Sequence, residues 1–217
     1  MNEEELKEIA SQLSNPHGSV GLRVAEVMHK TNISMSLAAI AALHLKDKDS
    51  ILEIGHGNCG HLKDVLDKAK GLKYQGLEIS ELMHEEAKKH SAESGFDNEI
   101  GFSLFDGKRI PFEDESFDKI MTVNTIYFWK RPLNFLIEIY RVLKPNGVCV
   151  ICYGEEAYMS ELPFTVYGFN LYNEEKIKSL IALSPFNVDQ TETKSEMVMS
   201  KIGGMAKRDY TTITLHK

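Results

Sequence analysis

The feature that most constrains this 217-residue chain is a short apolar strand that runs directly into a glycine-rich turn and then into a helix. Ile51-Leu52-Glu53-Ile54 is followed by Gly55-His56-Gly57-Asn58-Cys59-Gly60. Leu62, Val65, Leu66 and Ala69 then mark one apolar helix face, closed by Gly71. The same alternation continues downstream. Tyr74 to Ile79 reads as a second strand, and Ser80 caps a charged helix to about Ser94. Glu99 to Leu104 and Phe117 to Val123 are further strands. A helix with Leu133, Leu136, Ile137 and Tyr140 on one face ends at Lys144-Pro145-Asn146-Gly147, before a strand Val148 to Tyr153. Asn173 caps another helix, with Glu174 and Glu175 in its first turn, and Phe186 to Thr191 and Tyr210 to Leu215 are the last strands. Strands separated by helices imply parallel βαβ units. The expected class is α/β: a doubly wound, mostly parallel seven-stranded sheet with helices on both faces, the last strand antiparallel.

Residues 1–49 precede this pattern as a helical extension. Leu6, Ile9, Ala10 and Leu13 give one helix, and Val20, Val24, Val27 and Met28 a second. A third is expected from about Ser34 to Leu45, and Asn15-Pro16-His17-Gly18 is a turn. No repeat or linker divides the chain, so residues 1–217 read as a single domain.

Charge and composition exclude several classes. Lys and Arg number 25 against 32 acids, a net charge of −7, the wrong sign for a sequence-independent nucleic-acid binder. No apolar run reaches the roughly 18 residues that a membrane span needs. The start, with Glu3, Glu4 and Glu5, is unlike a signal peptide, so a cytoplasmic location without membrane insertion is expected. Three cysteines agree with a reducing compartment. Cys149 and Cys152 form a CxxC, but on a strand positions three apart face opposite ways, so the pair reads as structural. No histidine pair has metal-ligand spacing, and no metal is expected.

Gly55, Gly57 and Gly60 satisfy GxGxxG between a strand and a helix, with Glu78 where a dinucleotide fold places its ribose-binding acid. Alone, that pattern is a nicotinamide-cofactor signature, and a nicotinamide-dependent oxidoreductase is one reading. Three carboxylates argue otherwise. Glu53, Glu78 and Asp106 stand at the carboxyl ends of successive strands, around one crevice, where they repel a pyrophosphate and favour a cationic ligand. S-adenosylmethionine fits: a sulfonium, an ammonium, a ribose diol and an adenine, with one carboxylate to place.

At these residues the sequence resembles class I S-adenosylmethionine-dependent methyltransferases, particularly the small ubiquinone/menaquinone-biosynthesis-like group. The blocks that carry the likeness are Ile51-Leu52-Glu53-Ile54-Gly55-His56-Gly57, Gly76-Leu77-Glu78-Ile79-Ser80 and Phe105-Asp106-Gly107. Ile110 to Asp118 and Arg141-Val142-Leu143-Lys144-Pro145-Asn146-Gly147 follow in family order. The resemblance implies that Glu53 and the loop Gly55, His56, Gly57 hold the methionine end of the cofactor. Glu78, with Ile79, takes the ribose, and Asp106, with Gly107, the adenine edge. Residues 1–49 become a lid, 50–153 the cofactor-binding core, and 154–217 a substrate-side insertion with the C-terminal strands. Where the family usually has a further glycine, this chain has Cys59.

Methyl transfer from a sulfonium to a small-molecule acceptor is an in-line displacement in which the protein aligns the reactants and excludes water. Asn124 and Tyr127 follow the fourth strand, beside the expected methyl group. Tyr127 reads either as a lining residue or as packing, and Trp129 as packing. His17 and His56 are candidate bases, whereas His29, His44, His61, His84 and His90 read as helix-surface or helix-start residues. Tyr158, Phe164, Tyr167, Phe169 and Tyr172 either wall a substrate site or brace the sheet. Met197, Met199 and Met205, near Gly203-Gly204, read as core filling. A non-catalytic S-adenosylmethionine-binding protein is the remaining alternative. No feature encodes an oligomeric state.

Overall fold

The computed structural model describes residues 1–96, 98–199 and 204–217. Its seven strands are β1 (Ser50–Ile54), β2 (Lys73–Glu78), β3 (Glu99–Leu104), β4 (Phe117–Val123), β5 (Leu143–Gly154), β6 (Asn187–Met199) and β7 (Met205–His216). They form one sheet in the order β3-β2-β1-β4-β5-β7-β6. The first five pair in parallel, and β7 lies antiparallel between β5 and β6. The order reverses at β1, between β2 and β4, which in an open α/β sheet opens a crevice outside the carboxyl ends of those strands.

Helices cover both faces, and β5 shows how the sequence divides between them. Cys149, Ile151 and Tyr153 point into one apolar cluster and Val148, Val150 and Cys152 into the other, as a period of two requires. The two cysteines of the CxxC therefore occupy opposite faces, both buried as free thiols. The first face is packed by α5 (Pro132–Val142) and α7 (Glu174–Ile181) through Leu136, Ile139 and Ile177, with Ala10 of α1 (Glu3–Ser14) at its margin. The second is packed by α2 (Gly18–Ala42), α3 (Leu62–Leu66) and α4 (Glu81–Ser94) through Met35, Ile40, Val65 and Ala87. The short α6 (Glu156–Met159) completes the helices.

Several expectations are corrected. The helices expected at Val20–Met28 and Ser34–Leu45 are one 25-residue helix, α2. The intervening Lys30 to Ile33 contains weak helix formers but no Pro or Gly, and the Thr31 hydroxyl donates back to the Val27 carbonyl at 2.8 Å. At about 1.5 Å per residue α2 spans about 37 Å, long enough to run from the crevice down the sheet face. The helix after the glycine loop is only five residues long. On α5 the buried face is Phe135, Leu136, Ile139 and Val142, while Ile137 is exposed. The Lys144–Gly147 segment lies within β5 as a bulge: Leu143 pairs with Phe117 and Val148 with Lys119. β6 and β7 extend well past the expected residues. On that projecting hairpin the inward positions are Val198 and Arg208, and Met197, Met199 and Met205 are exposed rather than core. Gly203, expected beside them, lies outside the described residues.

Candidate functional site

The crevice is an open cleft of about 1100 Å³ bounded by the ends of β1, β2 and β4 and by α1 and α2. Its floor is Glu53, Ile54, Gly55, His56, Gly57 and Asn58; Glu78 and Ile79 stand on one side and Val123, Asn124 and Thr125 on the other. The backbone there requires glycine. Gly55 has φ +75°, and a Cβ would lie 2.3 Å from Thr125 Cγ2. Gly57 has φ +58°, with open space where a Cβ would point. Cys59 adopts the same left-handed region at φ +53°, the position where the family's further glycine is expected.

Two buried carboxylates face this floor. Glu78 accepts the amides of Ile79 (2.7 Å) and Ser80 (3.1 Å) on one oxygen and of Gly57 (3.0 Å) on the other. It thereby ties the end of β2 to the glycine loop. Glu53 is held by side chains instead. His61 Nε2 lies 2.9 Å from both of its oxygens, and the Tyr74 hydroxyl donates to Oε2 at 2.5 Å. Burial pushes the Glu53 pKa up, but the His61 charge and the hydrogen bonds from His61 and Tyr74 more than offset it, and the net shift is downward. For His61 burial pulls the pKa down and the Glu53 charge and hydrogen bond raise it further, for a net rise. The two form a buried ion pair.

Comparisons with known proteins agree with this geometry. Residues 52–151 match the family described as a methyltransferase domain. Residues 52–151, a little under half of the chain, thus carry a methyltransferase domain. A demethylmenaquinone methyltransferase of Clavibacter sepedonicus is 32% identical over 136 residues, covering 61% of this chain and 51% of that protein. The chain thus spans about half the length of that relative. Among solved structures, a chain of the complex between the Haloferax volcanii Trm112 methyltransferase activator and its methyltransferase superposes with TM-score 0.75 at 17% identity. That match covers 98% of this chain and 96% of the other. A Haemonchus contortus phosphoethanolamine N-methyltransferase 2 in complex with S-adenosyl-L-methionine superposes with TM-score 0.71 at 16% identity, covering 90% and 57%.

Within the methyltransferase domain the sequence-expected residues divide into two sets. Glu53, Gly55, His56, Gly57, Glu78, Ile79, Gly107 and Asn124 all line the cleft. Asp106, Tyr127 and His17 do not. Asp106 is exposed, and its carboxylate accepts the amides of Lys108 (2.9 Å) and Arg109 (3.2 Å), closing its own turn. Tyr127 is fully buried. Its hydroxyl accepts the Gly154 amide at 2.6 Å and lies 3.0 Å from Asn124 Oδ1, and burial pushes its pKa well above the usual phenol value. From the core it braces Asn124 and the end of β5. His17 is exposed at the start of α2, its ring 2.9 Å from the Asn15 carbonyl and 3.1 Å from Gln12 Nε2. Neighbours of these residues occupy the cleft in their place: Phe105, Phe128 and Trp129 line it, as does Pro16. The aromatic stretch forms a brace, with Phe169 packed edge-on against Phe128 and tilted against Tyr127, and Phe164 in the core.

Three cleft histidines have environments that the sequence does not reveal. His61, expected at a helix start on the surface, is buried against Glu53, and its helix is too short to show a face. His29, expected on a helix surface, lines the cleft from α2. His56 is buried, with Nδ1 donating to the Gly57 carbonyl at 2.8 Å and Nε2 without a partner, and burial lowers its pKa. The donor atoms of Glu53, Cys59 and His61 lie within 4.8 Å of one another, a grouping that sequence spacing does not show. They are already engaged with each other and with Tyr74, whose hydroxyl is 3.2 Å from the Cys59 thiol, and burial holds that thiol protonated.

Proposed function

We propose that the chain binds S-adenosylmethionine across this cleft and transfers its methyl group, by in-line displacement, to a small acceptor with an apolar body. One observation carries the reading. Among the described residues, the lining combines two buried carboxylates with no lysine or arginine. A pyrophosphate placed there meets Glu78 and finds no lysine or arginine, and Glu53 keeps the His61 imidazole occupied, which argues against a nicotinamide dinucleotide despite the glycine pattern. A sulfonium and an ammonium need no such cation and are favoured.

The polar groups fit the ligand piece by piece. Glu78 Oε1 already accepts two amides, and Oε2 accepts one, so Oε2 retains an acceptor position for a ribose hydroxyl. The open space at Gly57 lets a ligand approach the loop backbone. Phe105 and Gly107 flank the adenine side, next to Ile79. Bound there, S-adenosylmethionine supplies an electrophilic methyl group.

The chain's own residues align the reactants and keep water out. Asn124, at φ +57°, turns the backbone at the end of β4 and is held by Tyr127. Trp129 is fixed by its indole donating to Thr125 Oγ1 at 3.1 Å, and packs edge-on against Phe135. With Phe128, Leu13 and Met28 these rings form an apolar wall beside Asn124, with α1 and α2 acting as the lid. A wall of this kind receives a flat or aliphatic acceptor, in keeping with a relative named for demethylmenaquinone.

Calorimetric titration with S-adenosylhomocysteine and, separately, with NAD tests the assignment. Saturable binding of the first and none of the second is expected; NAD binding without S-adenosylhomocysteine binding overturns it.

A further inference from the structure

The cofactor proposed above carries one carboxylate, and the cleft must answer it. Glu78 repels it, Glu53 is balanced by His61, and among the described residues the side chains of the lining that can become cationic are His29, His56 and His61. Two of the three are committed. His61 Nε2 is spent on Glu53, so its charge is already balanced. His56 holds its Nδ1 proton on the Gly57 carbonyl, and its Nε2 sits over Gly76, edge-on to Phe102.

His29 is placed differently. Its ring lies against Gly60: a Cβ added there would sit 2.8 Å from Cε1 and 3.0 Å from each ring nitrogen. Glycine at this position is what lets α2 bring the imidazole down beside the loop. His29 also borders a shallower groove on the outer side of the loop, with Lys63, His90 and Glu93. The charged groups around it are His61 and Asp64 from the start of α3, His90 from α4 and Lys30 from its own helix. Burial, then His61 and His90, lower its pKa, so the imidazole is neutral in the ligand-free cleft near pH 7, with only Asp64 opposing.

We propose that His29 is the counter-charge for the α-carboxylate of the cofactor, and that it takes up a proton as the cofactor binds. The inference rests on the cofactor reading above. With Glu78 on the ribose, the amino-acid end falls to the 55–61 loop and α2, where His29 borders both the cleft and the outer groove while His61 is paired with Glu53 and His56 is turned toward Gly76 and Phe102. A carboxylate set beside it stabilises the imidazolium, raising its pKa in the complex. Affinity then increases as pH falls through the window between the free and bound values, by up to about tenfold per pH unit for one linked proton.

The test compares two ligands on the intact chain by calorimetry at about pH 6 and about pH 8, the range over which a histidine changes charge. S-adenosylhomocysteine carries the carboxylate; 5′-methylthioadenosine has the same nucleoside and thioether but no amino-acid end. S-adenosylhomocysteine should bind several-fold more tightly at the lower pH and 5′-methylthioadenosine equally at both. His29→Gln, or His29→Asn where the longer side chain crowds Gly60, should flatten the first slope and leave 5′-methylthioadenosine unaffected. This variant arm separates His29 from the ligand's own amine. S-adenosylhomocysteine binding that is independent of pH, or a slope that survives in the variant, overturns the inference while leaving the cofactor reading intact. If neither ligand binds, both fall together.

Discussion

Two buried carboxylates stand at the ends of adjacent strands, and they are held in opposite ways. Glu78 is wrapped by backbone amides, two from the residues that follow it and one from the glycine loop. Glu53 is held by two side chains, His61 and Tyr74, themselves buried. A carboxylate on backbone amides organises a loop and retains acceptor capacity, as a ribose-binding group must. A carboxylate on an imidazolium spends its charge internally and stabilises the floor on which the cleft is built. The same residue type at equivalent strand ends therefore does two jobs, binding on β2 and support on β1.

That division predicts that Glu53→Ala has its largest effect on stability. The variant leaves His61 buried without its counter-charge, which should lower the unfolding free energy by about 3–5 kcal/mol. The pH dependence has a definite sign. Glu53, with its pKa depressed in the fold, contributes stability that is present above its ordinary value of 4.5 and is lost as pH falls through the folded value. His61, with its pKa raised, contributes stability that is present below its ordinary value of 6.5 and is lost as pH rises through the folded value. Chemical denaturation of wild type and variant should therefore differ most between these two values and converge on either side. A difference below about 1 kcal/mol throughout would place the pair with exposed salt bridges and erase the contrast with Glu78.

Glu78→Ala should act on binding more than on folding, because the amides it frees lie at the cleft edge. Loss of a charged acceptor for a hydroxyl predicts S-adenosylhomocysteine affinity weaker by about 2–4 kcal/mol. Calorimetry on the folded variant decides it, and an unchanged dissociation constant takes Glu78 out of the site.

The same contrast explains what the sequence discloses. Glu78, Ser80 and Asn173 are legible because their partners are local or belong to the adjoining loop: Ser80 accepts the Met83 amide and Asn173 that of Lys176, each three residues on. The parallel order of the first five strands follows from the alternation of strands and helices. The Glu53–His61–Tyr74 cluster joins residues 8 and 21 positions apart, and becomes visible only once β1 and β2 are side by side. His29 needs more still, since its place in the cleft depends on α2 running unbroken past Gly60. On α5, apolar residues occur on more than one side, so periodicity selects Ile137 where packing selects Ile139. On the β6–β7 hairpin, apolar character suggests burial for methionines whose strands project beyond the helices that would cover them.

The smallest effect is expected at the third strand-end acid, and it sharpens the comparison. Asp106 lies just past β3, whereas Glu53 and Glu78 sit in the last residues of β1 and β2, and it is exposed and occupied with the amides of its own turn. Those amides hold its pKa below the usual carboxylate value, through hydrogen bonds to Lys108 and Arg109 first. Because water can replace a partner lost at the surface, Asp106→Ala should change S-adenosylhomocysteine affinity by no more than about twofold. A loss approaching that of Glu78→Ala would mean that the carboxylate swings inward to the adenine between Phe105 and Gly107 when the cleft is filled. In that case the sequence-level expectation of three convergent acids describes the bound protein, and the free cleft shows only two of them.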